Sequence, residues 1–399
     1  MELTYSSIEG KSRKYYITIA VLAALTLVGF ACFIISYISG HQVFGSSNAI
    51  PWGLPIVFAI YLIGLSAGLH ILAFLIYVMK QEQYREVIRA AVFLAIVLIF
   101  GAMVFIALDL GRPEKFWRLF MLFYLNNMFS IFAINAIFYT SYFLSAVIYL
   151  ISLFANKKRF SMVMGMVAFG WAMLTHAGTG AIFGFIAARE PWFSPLSPFE
   201  FIFAALASSL ALLVVLLVII YKFTDRHLSE GLIASLGGLV KSLLLGLLLL
   251  MVIGELTSVY SPAREGVVFM LFGPFNWLFW VFQIGIGTVI PLTILFHPGA
   301  KKSVRGVVTA SALIVIGVFV KRYYLVIPGA AYPLHLYPGQ VEGVWGEVGF
   351  FPLMPVEVFL SLGIVALLGL VYLVGLRHFE LLPTKEEAGE TKKVEAKGS

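Results

Sequence analysis

The chain has 399 residues, of which 61% are hydrophobic and 12% are charged, and its formal net charge is +7. This balance excludes an ordinary water-soluble globular protein, in which about a quarter of the residues are charged. The basic excess does not indicate nucleic-acid binding, because the lysines and arginines fall in loops between apolar runs. The single cysteine, Cys32, excludes a disulfide framework and an iron–sulfur cluster held by this chain alone.

Apolar runs of 20 or more residues recur along the chain, and each is long enough to cross about 30 Å of hydrocarbon. The alternating segments of about ten residues that a β-barrel needs are absent. The predicted fold class is therefore all-α, a polytopic integral membrane helix bundle of about ten transmembrane helices. The predicted spans are 15–39, 53–79, 88–108, 128–153, 160–187, 199–221, 237–260, 274–296, 304–327 and 353–375.

No soluble domain is predicted between the spans. Residues 1–14 form a short segment before a first span that is too long for a signal peptide and lacks its small-residue exit. Residues 15–380 form the predicted transmembrane domain. Residues 381–399 form a polar tail that is expected to be disordered.

Positive charge predicts the orientation of the bundle. With the N-terminus inside, most loop lysines and arginines and those of the tail lie on the inner side, as the positive-inside rule requires. The outer loops then hold only Arg112, Lys115, Arg118, Arg189 and Arg264. The sequence therefore predicts a multi-pass protein of the cytoplasmic (inner) membrane with both termini in the cytoplasm.

Two outer loops are unusual. The stretch 106–118 reads IALDLGRPEKFWR, and the aromatic residues that continue it to Phe123 predict a short interfacial helix. The loop 328–352 is rich in glycine, proline and aromatic residues, which is typical of a folded lid or a docking surface. The tryptophans expected in an outer aromatic belt are Trp52, Trp192, Trp277, Trp280 and Trp345.

Ionisable side chains inside the spans are a second signal, since charge within a bilayer is costly and marks function. At a rise of about 1.5 Å per residue they concentrate in the outer half of the membrane. The residues predicted at this depth are Tyr61, Asp109, Asn135, His176, Glu255, Lys321 and Arg322, with Gln283 and Glu357 as candidates to join them. Such a pocket suits a membrane quinone, and His176 and Glu255 are the predicted proton-transfer residues.

Other interpretations stay open. The charged groups could pair only to hold helices together, so that the chain would be a structural anchor. His70 and His176 could ligate a b-type haem, although their estimated depths differ by about 9 Å. Ten spans with buried charge also suit a secondary transporter or channel, although transporter sites lie near the membrane midplane on broken helices.

Three motifs resemble the NrfD/polysulfide-reductase family of membrane subunits, which includes a hydrogenase-linked HybB-like branch. They are Pro51-Trp-Gly-Leu at the start of a span, Gly64-Leu-Ser-Ala-Gly within it, and Leu108-Asp-Leu-Gly-Arg-Pro-Glu-Lys-Phe-Trp. The resemblance covers about residues 50–330, and the Asp-Leu-Gly-Arg-Pro match is its most specific part.

The resemblance implies a membrane anchor that exchanges electrons between menaquinone or ubiquinone and an iron–sulfur partner subunit on the outer face. That partner would connect the quinone to a catalytic oxidoreductase subunit, while this chain would hold no haem, iron–sulfur cluster or other metal. Coupled proton translocation and the direction of electron flow stay open. The predicted quinone-binding residues are Tyr61, Asp109, Arg112, Asn135, His176, Glu255 and Arg322.

Overall fold

The computed structural model describes residues 4–118, 121, 129–224, 226, 229–262, 264–301, 303–334 and 346–384, and most of them are helical. The α-helices are α1 (Arg13–Ser39), α2 (Leu54–Leu69), α3 (Ile71–Tyr77), α4 (Arg85–Asp109), α5 (Ile131–Phe154), α6 (Lys158–Gly184), α7 (Ser197–Thr224), α8 (Glu230–Val259), α9 (Arg264–Phe272), α10 (Ile290–Phe296), α11 (Val304–Ala331) and α12 (Pro355–His378). A π-helix, Leu278–Val289, leads into α10, and short 3-10 helices span His41–Val43, Glu82–Tyr84 and Pro113–Lys115. Strand β1 (Tyr5–Ser6) pairs antiparallel with β2 (Leu382–Pro383).

Ten helical segments within these ranges are long and apolar enough to cross a membrane, which confirms the predicted fold class and spans. The helices α2 and α3 form one span that is interrupted at His70. The largest difference from a predicted boundary is at α8, which begins at Glu230 rather than at residue 237. Ser229 explains the earlier start of α8, because its side-chain oxygen caps the helix by accepting a hydrogen bond from the Leu232 amide.

Helix α2 lies at the centre of the bundle, where it packs against α4, α6, α7, α11 and α12. In its most apolar stretch 78% of the residues are buried, against 6% for α1. Small residues permit this close packing, since a Cβ on Gly68 would overlap Ser209 and Ala205 of α7. The peripheral α1 packs mainly on α12 and turns its large apolar side chains outward, as expected of a lipid-facing helix.

The two ends of the bundle differ in charge. We call one end the basic face; it carries the loops near residues 80–84, 155–158 and 222–229 together with the β1–β2 pair. We call the other end the opposite face; it carries the segments 40–53, 110–118, 185–196, 260–262 and 264–277, the last of which includes α9. The orientation predicted from charge places the basic face in the cytoplasm.

Three predicted segments lie partly outside the described residues. They are the aromatic helix after Arg118, the centre of the loop 328–352 including Trp345, and residues 385–399 of the tail. Helix α11 continues through Pro328 to Ala331, so the described start of that loop is helical. The predicted tail begins with ordered residues, since Leu382–Pro383 form β2 and the Thr384 amide donates to the Thr4 carbonyl.

Candidate functional site

A cavity of about 250 Å³ lies between α2, α4, α5 and α6 near the opposite face. Most of its wall is apolar, and a few polar side chains reach into it, which is the usual composition of a small-molecule site. The polar lining residues are Asp109, Asn135, Tyr139 and Thr179, and the aromatic ones are Trp52, Phe116, Phe132 and Phe183.

Asn135 lines the cavity and has an unpaired acceptor atom. Its Nδ2 donates hydrogen bonds to the carbonyls of Ile131, at 2.8 Å, and Gly178, at 3.2 Å. Since both partners can only accept, they fix the orientation of the amide. Its buried Oδ1 has no partner among the described residues. This oxygen packs against α6, where a Cβ on Gly178 would come within 2.5 Å of it, so it is enclosed between the helices and does not open into the cavity.

Tyr139 adds a second acceptor one helical turn along α5. The Thr179 hydroxyl donates to the Thr175 carbonyl at 2.8 Å. Since that proton is used, the Tyr139 hydroxyl is the donor in its 3.0 Å hydrogen bond to Thr179 Oγ1. The Tyr139 oxygen keeps lone pairs that this hydrogen bond does not use, and the residue lines the cavity. With the half-buried carboxyl group of Asp109, the polar atoms of the cavity are mainly acceptors.

The wall toward the opposite face is built from stacked aromatic rings. Trp52 stacks on Trp192 with a centroid separation of 5.5 Å and an interplanar angle of 15°, and Phe183 meets both rings edge-on. The Trp192 indole N–H donates to the Leu325 carbonyl, and the residue is 4% exposed. The predicted place of Trp192 in an outer aromatic belt is therefore wrong, because the residue is buried in this wall.

Arg189 holds this wall from the loop after α6. Its guanidinium lies 5.3 Å from the centre of the Trp192 ring, and it donates to the carbonyls of Ala330 and Ala49. Partial burial lowers the pKa of Arg189, yet a guanidinium stays protonated because its ordinary pKa is far above neutrality. The wall is thus tied to α11 and to the loop before α2.

His176 and Arg322 form a separate buried pair beside the cavity. Arg322 Nη2 lies 3.2 Å from His176 Nε2, and since a guanidinium can only donate, Nε2 is the acceptor. The guanidinium carbon lies 3.8 Å from the centre of the Phe201 ring, a cation–π contact. Arg322 Nε and Nη1 and His176 Nδ1 have no partner among the described residues. Phe201 stacks on Phe183, and Phe183 lines the cavity, whereas His176 and Arg322 do not.

A second charged group is formed by the sequence neighbours of Arg322 and Phe201. Lys321 Nζ and Glu200 Oε2 form a salt bridge of 2.9 Å. Glu200 needs the space beside Gly254, where a Cβ would come within 2.6 Å of its Oε1. Glu255 lies within electrostatic range of both residues. Two adjacent residues of α11 therefore contact two adjacent residues of α7. Lys321 forms an ion pair with Glu200, and Arg322 forms a cation–π contact with Phe201.

The structure brings together part of the predicted quinone site. Asp109 and Asn135 line the cavity. The predicted residues that do not line it are Tyr61, Arg112, His176, Glu255 and Arg322. Tyr61 sits at the predicted depth but turns toward α11, where its hydroxyl donates to the Val315 carbonyl at 2.9 Å. Arg112 is exposed in the turn after α4.

Two other polar residues singled out in the sequence, His70 and Glu357, have structural partners. His70 Nδ1 lies 2.9 Å from the Tyr142 hydroxyl, so His70 and His176 belong to different clusters. Buried Glu357 accepts hydrogen bonds from the amides of Gly45, Leu54 and Met354, which ties α12 to the start of α2. Across the described residues, no group of three or more His, Cys, Asp or Glu side chains is placed to hold a metal ion.

Sequence reasoning missed several residues of the site, and helical spacing could have found two of them. Tyr139 follows Asn135 by four residues and Thr179 follows His176 by three, so each shares a helix face with a predicted residue. Glu200, an acid near the start of a predicted span, was a visible signal of the ionic pair.

The comparisons with known proteins assign this architecture to a family. A family model described as polysulphide reductase, NrfD, matches residues 42–333. The chain belongs to the NrfD family. All residues that line the cavity lie within the matched region, as do His176, Glu255 and Arg322. Helices α1 and α12 lie outside it.

Relatives of this NrfD-family protein include membrane subunits that are named for menaquinol or menaquinone. It is 34% identical over 392 residues to the Hdr-like menaquinol oxidoreductase integral membrane subunit of Archaeoglobus fulgidus, covering 96% of this protein and 98% of the relative. It is 30% identical over 366 residues to a selenate reductase subunit of Mesobacillus selenatarsenatis, covering 80% and 83%. It is 24% identical over 388 residues to the menaquinone reductase integral membrane subunit of Nitratidesulfovibrio vulgaris, covering 87% of each.

Proposed function

We propose that this chain is the quinol-reactive membrane subunit of a respiratory oxidoreductase complex, and that the cavity beside Asn135 is its quinol site. The observation that carries the proposal is an apolar, aromatic-walled cavity whose few polar lining residues include Asp109, Asn135 and Tyr139. Relatives named as menaquinol oxidoreductase and menaquinone reductase membrane subunits support a quinone as the ligand class. A bound quinol supplies two electrons and two protons when it is oxidised.

The hydrogen-bonding pattern favours the reduced form of the ligand. A quinol donates two hydrogen bonds, whereas the carbonyls of a quinone can only accept. The Asp109 carboxyl group and the Tyr139 oxygen, both on residues that line the cavity, can each accept a hydrogen bond. We therefore propose quinol oxidation as the direction of electron flow, with Trp52 and Phe183 contacting the flat ring and the isoprenoid tail leaving toward lipid.

Charged residues around the cavity supply the rest of the chemistry in this proposal. Asp109 is the carboxyl group in the lining and would accept a proton at the cavity mouth. The Arg322 charge, held behind Phe183 next to His176, would stabilise negative charge that develops as protons leave. Glu255 belongs to the ionic group with Lys321, and a role for it in proton translocation stays a prediction.

We place the iron–sulfur partner subunit on the opposite face. The turn after α4 is exposed there and carries Arg112 and Trp117, whose side chains project from the bundle. Asp109 ends α4 directly before this turn, so a partner bound on it would lie next to the cavity mouth. That arrangement supports a short route for electrons from the cavity to the partner.

The experiment is to fill the cavity and measure quinol binding. Ala136 lines the cavity, and Ala136→Phe would place a ring where the ligand is proposed to lie. The matched control is Leu144→Phe, on the exposed side of the same helix. Ala136→Phe should abolish binding of a short-chain naphthohydroquinone and quinol-linked turnover in the intact complex, while Leu144→Phe should change neither. Unchanged affinity in a folded Ala136→Phe protein would contradict the proposal.

A further inference from the structure

A second cavity, of about 640 Å³, lies at the basic face between α1, α7 and α12. The N-terminal segment before α1 lines the end of this second cavity at the basic face. The second cavity is therefore far from the first one, which lies near the opposite face. The apolar lining includes Leu22, Leu216, Ile219, Phe223, Leu373 and Leu376. The polar lining includes Ser6, Ser7, Glu9, Lys11, Ser12, Lys14, Thr224 and Arg226. The charged residues lie at the end near the basic face, whereas the far end, at Leu22, Leu216 and Gly369, is apolar. The groove is therefore amphipathic along its length.

The length of the groove matches one leaflet of a bilayer. Its lining along α1 runs from Ser12 to Leu22, which is about 15 Å at 1.5 Å per residue. This is half of the roughly 30 Å hydrocarbon thickness. The groove is also open from the side, since Ile219 is 45% exposed and Phe223 is 54% exposed. A molecule that lies in the leaflet could enter it without leaving the membrane.

The polar end of the groove carries net positive charge. Lys14 crosses the groove, with its Nζ 5.5 Å from the centre of the Phe223 ring on α7. Lys11 is exposed at the rim, and Glu9 is the acid in the lining. Arg226 is held in place because it donates to Ser6 Oγ and to the carbonyls of Ser7 and Pro383.

Hydrogen bonds hold the backbone at the polar end of the groove in place, so the shape of the groove is set by the fold. β1 pairs with β2, and the Ile8 amide donates to the Leu376 carbonyl at 2.9 Å. Gly10 has a φ of +60°, and a Cβ there would meet the side chain of Arg377 at 2.9 Å. Another cationic side chain therefore packs against the segment that closes the groove.

We propose that this groove binds an anionic glycerophospholipid of the leaflet at the basic face. Its phosphate would lie between Lys11 and Lys14, and its acyl chains would lie along α1 and α7. Charge complementarity at the rim, an apolar interior and a depth of one leaflet together select this class of ligand. Since α1 makes its main contacts with α12, the bound lipid would also fasten α1 to α7.

The test measures retained lipid in the full-length protein purified in mild detergent and exposed to defined phospholipids. Native mass spectrometry should show an anionic phospholipid retained in preference to a zwitterionic one. The double variant Lys11→Gln, Lys14→Gln should weaken that binding by about 25-fold, since each lysine near an anionic surface contributes roughly fivefold in affinity. The control Lys157→Gln, Lys222→Gln removes the same charge from the basic face at residues that do not line the groove, and it should bind like wild type.

A second variant and a competition experiment distinguish binding of a phospholipid from binding of a free phosphate ion. Ile219→Trp would fill the apolar part of the groove and leave the lysines unchanged. It should weaken phospholipid binding as well, while inorganic phosphate should fail to displace the lipid from the wild-type protein. Equal loss in the control double variant, equal retention of zwitterionic lipid, or displacement by inorganic phosphate would each overturn the proposal.

Discussion

Replacing Tyr139 by phenylalanine removes one hydroxyl from the cavity and keeps the aromatic ring. The Thr179 hydroxyl keeps its own hydrogen bond to the Thr175 carbonyl, so the change leaves no buried donor without a partner. What disappears is the acceptor that the Tyr139 oxygen offers to a quinol. A hydrogen bond of this kind contributes about 1–1.5 kcal/mol, so we expect roughly tenfold weaker binding of a naphthohydroquinone.

The assay is equilibrium binding of a short-chain naphthohydroquinone and of the corresponding quinone to the purified protein. The quinone should lose little affinity, because it has no hydroxyl to donate to Tyr139. The control is Tyr149→Phe, the same substitution on the same helix at a residue whose hydroxyl contacts Tyr77 outside the cavity. Equal weakening of quinol and quinone, or equal effects of the two variants, would refute the assignment of acceptors.

Three further predictions concern packing and are measured by thermal unfolding in detergent. Gly29→Leu should destabilise the α1–α12 contact by about 1–3 kcal/mol, since a Cβ on Gly29 would lie 2.6 Å from the Gly363 Cα; a wild-type melting temperature would show that α1 does not dock as described. Glu357→Ala should cost about 3 kcal/mol, because three backbone amides lose their acceptor, whereas exposed Glu347→Ala should stay within about 0.5 kcal/mol. Phe201→Leu should cost about 2 kcal/mol through the lost contact with the Arg322 guanidinium, and no loss would argue against that cation–π pair.

Much of the fold could be predicted from the sequence because membrane spans are set by the length of apolar runs. The depth of a side chain in the membrane could also be predicted, because the helical rise per residue is constant. It places Asn135 and Tyr61 at similar depths. Rotation about each helix axis could not, because it is fixed by packing against neighbours that are distant in sequence. Tyr61 therefore faces Val315, and Ile60 and Ile63 of the same helix line the cavity instead.

The grouping of charged residues shows the same limit. The sequence placed His176, Glu255 and Arg322 in one pocket because they share a depth. In the structure Arg322 meets His176, while its neighbour Lys321 meets Glu200 and lies near Glu255. Consecutive residues on a helix point about 100° apart, so a shared depth does not create a shared site.

Photolabelling with an azido-quinone tests the central claim most directly. The intact complex is irradiated with the probe, with and without excess menaquinol, and the labelled peptides are identified by mass spectrometry. The account predicts label on peptides that contain residues 52–63, 132–139 and 179–183, and its loss when menaquinol competes. Label confined to other helices, or label at these peptides that menaquinol does not displace, would contradict the placement of the quinol site.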